Sequence, residues 1–186
     1  EILKQVERGV LSAEAAAEAV RGCAECDLGF ARVDLDRPRR RGFPEAIYSP
    51  GKTIEQMLAI VGAMVEAGQD VLATRASPEQ FEAIRGAHPC AKYHETARLI
   101  SLQTEPVAPV GQVAVVCAGT SDLQVAEEAA VTAEFMGARI VRVYDVGVAG
   151  LHRLLNRLEI LRRARALVVV AGMEGALPSV VGGLVA

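Results

Sequence analysis

Val113-Ala114-Val115-Val116-Cys117-Ala118-Gly119-Thr120-Ser121-Asp122 is a continuous apolar, partly β-branched run that ends at a glycine and passes straight into polar, helix-starting residues. Strands buried on both faces of a parallel sheet read this way, because helices cover both faces and no alternation survives. The same pattern returns twice. Arg139 to Tyr144 runs into Asp145-Val146-Gly147 and Gly150-Leu151-His152-Arg153, and Ala166 to Ala171 runs into Gly172-Met173-Glu174-Gly175-Ala176-Leu177-Pro178. Between these strands lie two helical patterns. One opens at Ser121, with Gln124 three residues on, and stops at Gly137; the other carries Leu151, Leu154, Leu155, Leu158 and Leu161 on one stripe. Pro178 sits where a further helix would begin. The order predicts a parallel βαβαβ unit with right-handed crossovers. In such a sheet the loops at the carboxyl ends of the strands build the ligand site. Three glycine-bearing loops on one edge suggest an enzyme, and a sheet of only three strands predicts more strands beyond Ala186.

Upstream, Glu105-Pro106-Val107-Ala108-Pro109 reads as a linker and places a domain boundary there, giving domains 1–108 and 109–186. Residues 2 to 22 predict one or two helices, with Ser12 as a cap, and Phe30 to Pro50 reads as a polar loop region rich in Arg and Pro. Thr53 opens a helix with Ile54, Met57, Leu58, Val61 and Val65 on one stripe, followed by a short strand at Val71 to Thr74. Ser77-Pro78-Glu79-Gln80 combines an N-cap, a first-turn proline and a capping-box glutamine, so a helix should run from there to Arg85. Ala91 to Leu102 reads as strand with irregular alternation.

Composition narrows the function classes. A chain of 186 residues with 51% hydrophobic content and no Trp can build one good aliphatic core or two small ones. A net charge of −3 argues against nucleic-acid binding that rests on phosphate neutralisation. No run approaches the roughly 20 apolar residues that span a bilayer, and no basic-then-apolar signal peptide is present, so no membrane partner and a cytoplasmic location are expected. The first residue is not Met and the last segment ends within an apolar run, which predicts a fragment of a longer protein, cut at both ends.

Arg37-Pro38-Arg39-Arg40-Arg41 reads as a solvated loop, with an anion site as the alternative. Cys23-Ala24-Glu25-Cys26 has metal or redox spacing but lacks a second pair, and no metal site is assigned. Cys117 is expected to be buried and inert, and Cys90 to lie in a loop. Gly51-Lys52-Thr53 is similar to the end of a phosphate-binding P-loop, but the motif needs glycine where Ala46 stands, which excludes it.

A glycine after a strand lets backbone approach a ligand, and the following helix start offers free amides to a phosphate or carboxylate. Gly119-Thr120-Ser121-Asp122 and Gly172-Met173-Glu174-Gly175 both fit, although such turns also form where glycine only closes a bend. Neither matches the dinucleotide GxGxxG pattern. Asp122 reads equally as a cap or a ligand, and His152 as a helix-surface residue or a ligand. Glu174, between Gly172 and Gly175 after an apolar strand, has no helix face to occupy. Desolvation there would raise its pKa, which makes it the leading candidate for general acid/base work.

Gly119-Thr120-Ser121-Asp122, Leu151-His152-Arg153 and Ala171-Gly172 followed by Leu177-Pro178 resemble the PurE-type aminoimidazole ribonucleotide carboxylase/mutase family. The closer resemblance is to the LarB family, the carboxylases of nickel-pincer nucleotide cofactor biosynthesis. It rests on Ala118 to Leu123, Tyr144 to Arg153, Val170 to Ser179, Arg41-Gly42-Phe43-Pro44-Glu45 and Gly51-Lys52-Thr53, and it covers most of the chain. It implies a small mixed α/β first domain followed by a PurE-like, flavodoxin-like three-layer αβα domain with a parallel sheet, incomplete at its C-terminus. It also implies carboxylation of nicotinic acid adenine dinucleotide at pyridinium C5 with CO2 as co-substrate, with hydrolysis of the phosphoanhydride to release AMP. A pyridinium carbon is electrophilic; in the family a cysteine thiolate is thought to add to the ring, C5 of the resulting enamine takes CO2, a base removes the C5 proton, and the thiolate leaves.

Carried onto this sequence, the resemblance makes Glu174 the acid/base. Gly119, Thr120, Ser121, Asp122, Asp145, His152, Arg153, Gly172, Met173 and Gly175 are the expected substrate-binding residues. Ala176 stands where PurE-type enzymes place their catalytic histidine, which disfavours purine chemistry. The family's nucleophilic cysteine lies past Ala186, and none of Cys23, Cys26, Cys90 or Cys117 matches it. No tightly bound cofactor is expected, Mg2+ assistance of the phosphoanhydride step stays open, and a homo-oligomer is implied. Competing readings are a PurE-like mutase and a non-catalytic nucleotide-binding module.

Overall fold

Thr53 and Ser77 cap their helices as their local sequences dictate. The Thr53 hydroxyl accepts from the Gln56 N–H at 3.3 Å while the Gln56 side chain accepts from the Thr53 N–H at 3.0 Å. Ser77 and Gln80 repeat the reciprocal pair at 3.2 and 3.0 Å. Further upstream, the Ser12 hydroxyl accepts from the Ala15 N–H at 3.1 Å, as its cap role predicts. These contacts belong to a computed structural model that describes residues 2–16, 25–105 and 107–185. The later part of the helix expected over residues 2 to 22, and Cys23 of the CxxC spacing, lie outside the described residues.

The first half contains α1 (Ile2–Glu7), β1 (Glu25–Asp27), β2 (Arg32–Asp34), α2 (Arg37–Arg41), β3 (Ala46–Tyr48), α3 (Ile54–Glu66), β4 (Val71–Thr74), α4 (Pro78–Ala87), β5 (Lys92–His94) and β6 (Leu99–Leu102). Strands β1 and β2 form a separate antiparallel pair. The other four make a mixed sheet in the order β3-β4-β6-β5, parallel only between β3 and β4. Met57, Val61 and Met64 of α3 pack on Val71, Ala73 and Ile100, all fully buried. Loss of the Thr53 cap should therefore cost about 1 kcal/mol with the fold retained. Urea denaturation of Thr53→Ala checks this, and an unchanged midpoint would contradict it.

Two expectations for this half need correction. Ala91 to Leu102 is two strands rather than one, because the chain turns back between His94 and Leu99 with Arg98 at φ 50°. The Phe30 to Pro50 region holds two strands and a helix rather than loop alone. Within it, the arginine run forms α2, and its charges are partly consumed locally. Arg39 pairs with Asp36 at 2.7 Å, and Arg40 pairs with both Asp34 and Asp36. The arginine partners hold both carboxyls below the usual range.

The second half contains β7 (Val110–Cys117), a 3-10 turn (Thr120–Asp122), α5 (Leu123–Phe135), β8 (Ala138–Val143), α6 (Leu151–Leu155), α7 (Leu158–Arg163), β9 (Ala166–Val170) and α8 (Ala176–Leu184). The sheet is parallel throughout, in the order β8-β7-β9. Alternate residues of β7 feed opposite faces. Val115 and Cys117 pack with Ala126 and Ala130 of α5, while Ala114 and Val116 pack with Leu154, Leu161, Leu177 and Val181 of α6, α7 and α8. This is a three-layer αβα arrangement, consistent with a PurE-like domain.

The leucine stripe is broken: a turn at Asn156 and Arg157 separates α6 from α7, so Leu154 and Leu161 are buried while Leu151 and Leu155 are exposed. Ser121 does not cap α5 either; Asp122 occupies the cap position without a side-chain cap bond, for the reason given below. The two halves meet through Val131 and Phe135 of α5 against Leu72 and Leu99. Among the described residues no helix is long and apolar enough to cross a membrane.

Candidate functional site

Parallel pairing puts the carboxyl ends of β7, β8 and β9 on one edge, and hydrogen bonds tie their loops together. Asp122 is the brace between two of them. Its Oδ2 accepts the Gly119 N–H at 3.0 Å and its Oδ1 accepts the Gly172 N–H at 2.9 Å, across 50 residues of sequence. Each oxygen keeps a second lone pair, so the carboxylate braces the loops and can still accept two more donors. The approach is close enough that a Cβ on Gly172 would lie 3.3 Å from Asp122 Oδ1. Thr120 and Ser121 are exposed beside it.

The β8 loop joins the same edge through backbone. Val146 N–H donates to the Cys117 carbonyl at 3.1 Å and Gly147 N–H to the Ala118 carbonyl at 3.0 Å. A Cβ on Gly147 would meet that Ala118 oxygen at 3.0 Å, so glycine is what lets the loop sit here. Asp145 adopts φ 58°, a conformation that Asp tolerates better than most side chains. Its carboxylate accepts from Arg153 at 2.6 Å, with both side chains substantially exposed. Such a pair contributes at most about 1 kcal/mol and can open toward an incoming anion.

Asp145 and Arg153 line a cleft of about 430 Å³ together with Tyr144, Val146, Asn156 and Arg157. Asn156 and Arg157 reach the cleft because the chain turns between α6 and α7, a break that the leucine stripe concealed. His152 is exposed on α6.

Glu174 follows β9 in an irregular bend, ahead of Gly175 in the left-handed region at φ 69°. It is exposed, as is Met173. The described residues therefore leave its carboxylate open to solvent rather than desolvated, which corrects that part of the expectation. Gly172 and Gly175 are also exposed at this bend.

Cys117 ends β7 close to these loops but is fully buried, and burial pushes its thiol up. A thiol held protonated and away from solvent is a poor nucleophile. Cys26 is half-buried and Cys90 is exposed. A disulfide reagent at pH 8 should accordingly label Cys90 in the folded protein and Cys117 only after denaturation. Peptide mapping reads the result, and labelling of native Cys117 would contradict it. Among the described residues no group of His, Cys, Asp or Glu is placed to hold a metal ion.

Residues 25–105 match the model of the LarB/PurE-like N-terminal domain. The match supports a LarB/PurE-like family. An uncharacterized protein of Methanocaldococcus jannaschii is 36% identical over 163 residues, an alignment that takes in 83% of this chain and 64% of the relative's length. The family match falls on the first half, whereas the loops joined by Asp122 lie in the second.

Proposed function

We propose that this protein carries out LarB-type chemistry: carboxylation of nicotinic acid adenine dinucleotide at pyridinium C5 with CO2, coupled to phosphoanhydride hydrolysis that releases AMP. The family match supports carboxylase-type enzymology in general. The observation that carries the finer reading is the Asp122 brace, which joins the Gly119 and Gly172 loops beside Glu174 and the Asp145–Arg153 cleft.

In this reading residues 109–186 supply the acid/base and the substrate-binding loops of the catalytic unit. The loop after β7, Gly119 to Ser121, faces the ribose and phosphate groups. Arg153 leaves Asp145 to take a phosphate oxygen, with Arg157 and Asn156 lining the same cleft. A cysteine thiolate, matched by none of the four cysteines of this sequence, adds to the pyridinium ring so that C5 of the enamine takes CO2. Glu174 then removes the C5 proton and the thiolate leaves, while the substrate or a second copy of the chain in a homo-oligomer covers Glu174 and Met173. No metal and no tightly bound cofactor takes part in this account, and the protein works in the cytoplasm. A non-catalytic nucleotide-binding module is the second reading, favoured by one observation: Cys117, which ends β7 beside the site, is buried.

Isothermal titration separates the substrate classes. The dinucleotide should bind, and Arg153→Ala should weaken it at least about tenfold, a loss of roughly 1.4 kcal/mol. Binding of an aminoimidazole ribonucleotide in preference to the dinucleotide would overturn the reading.

A further inference from the structure

The first half contains a cleft that the proposed chemistry does not use. It lies between β2 and β3, has a volume of about 270 Å³, and is lined by Arg32, Val33, Glu45, Tyr48, Lys52 and Met64 among others. Its origin is topological. Strand β3 is an edge of the four-stranded sheet and β2 belongs to the separate pair, so no ladder closes the gap between them. A side-chain bond spans it instead, from the Asp34 N–H to Glu45 Oε2 at 2.9 Å.

The floor is apolar: Val33, Ile47, Ile60 and Met64 are all buried. The rim is charged. Arg32 is paired only loosely, to Asp27 at 3.5 Å with both side chains exposed, an interaction contributing at most about 1 kcal/mol. Lys52 gives one proton to the Tyr48 carbonyl at 2.6 Å and, among the described residues, makes no ion pair. Its other two protons are left for a ligand. The Tyr48 ring is half-exposed beside this rim, with the Arg75 guanidinium 5.7 Å from its centre. Glu45 is the one carboxylate lining the cleft, and its Oε2 is occupied by Asp34.

An apolar floor with an aromatic wall suits a planar ring, and two cations with weak commitments suit an anion. Drug-sized sites span roughly 300–1,000 Å³. A cleft of about 270 Å³ therefore holds one heterocycle with its phosphate and is too small for a dinucleotide. We infer that this cleft is a binding site for a mononucleotide, its base on the Val33–Met64 floor beside Tyr48 and its phosphate between Arg32 and Lys52. The inference goes beyond the dinucleotide chemistry and does not depend on it, since the two clefts are lined by different residues.

Titration of the protein with AMP tests it, with adenosine and inorganic phosphate as the ring-only and anion-only probes. AMP should bind at least tenfold tighter than either part. Arg32→Ala with Lys52→Ala should lose at least tenfold in AMP affinity with an unchanged melting temperature, because both charges lie at the rim. Ala46→Trp, on an exposed lining position, should block the cleft by bulk and give the same loss. Arg139→Ala, exposed and outside both clefts, should leave AMP affinity intact. Failure of AMP to bind the unaltered protein would overturn the inference, as would equal binding of adenosine or of phosphate alone. So would AMP binding that is insensitive to the cleft variants and lost with Arg153→Ala, which would put the mononucleotide at the parallel-sheet edge.

Discussion

Asp122→Ala should release the loop after β9 from the loop after β7, lowering dinucleotide affinity at least about tenfold and stability by about 1.5–3 kcal/mol. The size follows from what the carboxylate does. It accepts two backbone N–H groups, one from each loop, so its removal leaves both donors without their partner and the Ala118 N–H bond to the Val170 carbonyl at 3.1 Å as the neighbouring tie between the two strand ends. Charge-assisted bonds to backbone amides are stronger than neutral ones, which puts the effect above that of an ordinary surface substitution. Asp122→Asn is the informative companion. It keeps one acceptor oxygen but turns an NH2 toward one of the two amides, so it should fall between the parent and Asp122→Ala. Urea denaturation reads the stability and titration calorimetry the affinity. A neutral Asp122→Ala would mean that backbone and packing alone hold the loops.

The second large effect is expected at Glu174. Glu174→Gln in the full-length protein should lower the rate of carboxylation by about 10²–10⁴ while leaving dinucleotide affinity nearly unchanged. The side chain is exposed, so the substitution should not perturb stability by more than about 0.5 kcal/mol. That separation of kcat from KM and from folding is what distinguishes a group that moves a proton from one that merely holds the bend before Gly175. A variant with parental kcat would remove Glu174 from the chemistry. One that binds poorly and turns over normally once saturated would make it a binding residue.

The parts of the fold that were legible are those specified locally. The Thr53–Gln56 and Ser77–Gln80 boxes need only four adjacent residues, and both form as their sequences require. The apolar run that becomes β7 is likewise readable, because burial of Ala114 to Cys117 on both faces leaves no alternation to misread, while β8 and β9, only partly buried, are readable from their β-branched residues and the glycine-bearing loops that follow them. What escaped depends on tertiary context. The turn between β5 and β6 relies on Arg98 at positive φ, which no propensity announces. The separation of α6 from α7 interrupts a stripe whose leucines keep helical spacing throughout.

The site divides in the same way. The glycines after each strand could be picked out one loop at a time. The bond from Asp122 to Gly172 could not, because it couples residues that only the sheet brings together. Ser121 looked like the cap because Ser is a good cap residue, but the chain enters α5 through a 3-10 turn in which Asp122 is already turned back to Gly119. The exposure of Glu174 was hidden for the converse reason, since an apolar strand before it says nothing about what covers the loop beyond. The first-half cleft was signalled faintly, in that Glu45 and Lys52 come from two strings already singled out, yet only the gap between β2 and β3 makes them neighbours.

The central claim is that the edge organised by Asp122 serves carboxylation of a pyridinium dinucleotide. Its most direct test is to incubate the full-length protein with nicotinic acid adenine dinucleotide and isotopically labelled bicarbonate, and to follow the products by mass spectrometry. The account predicts AMP together with a pyridinium mononucleotide that has gained one labelled carboxyl group. Intact dinucleotide, with neither product formed by well-folded protein that binds it, would contradict the account and leave the binding-module reading in its place.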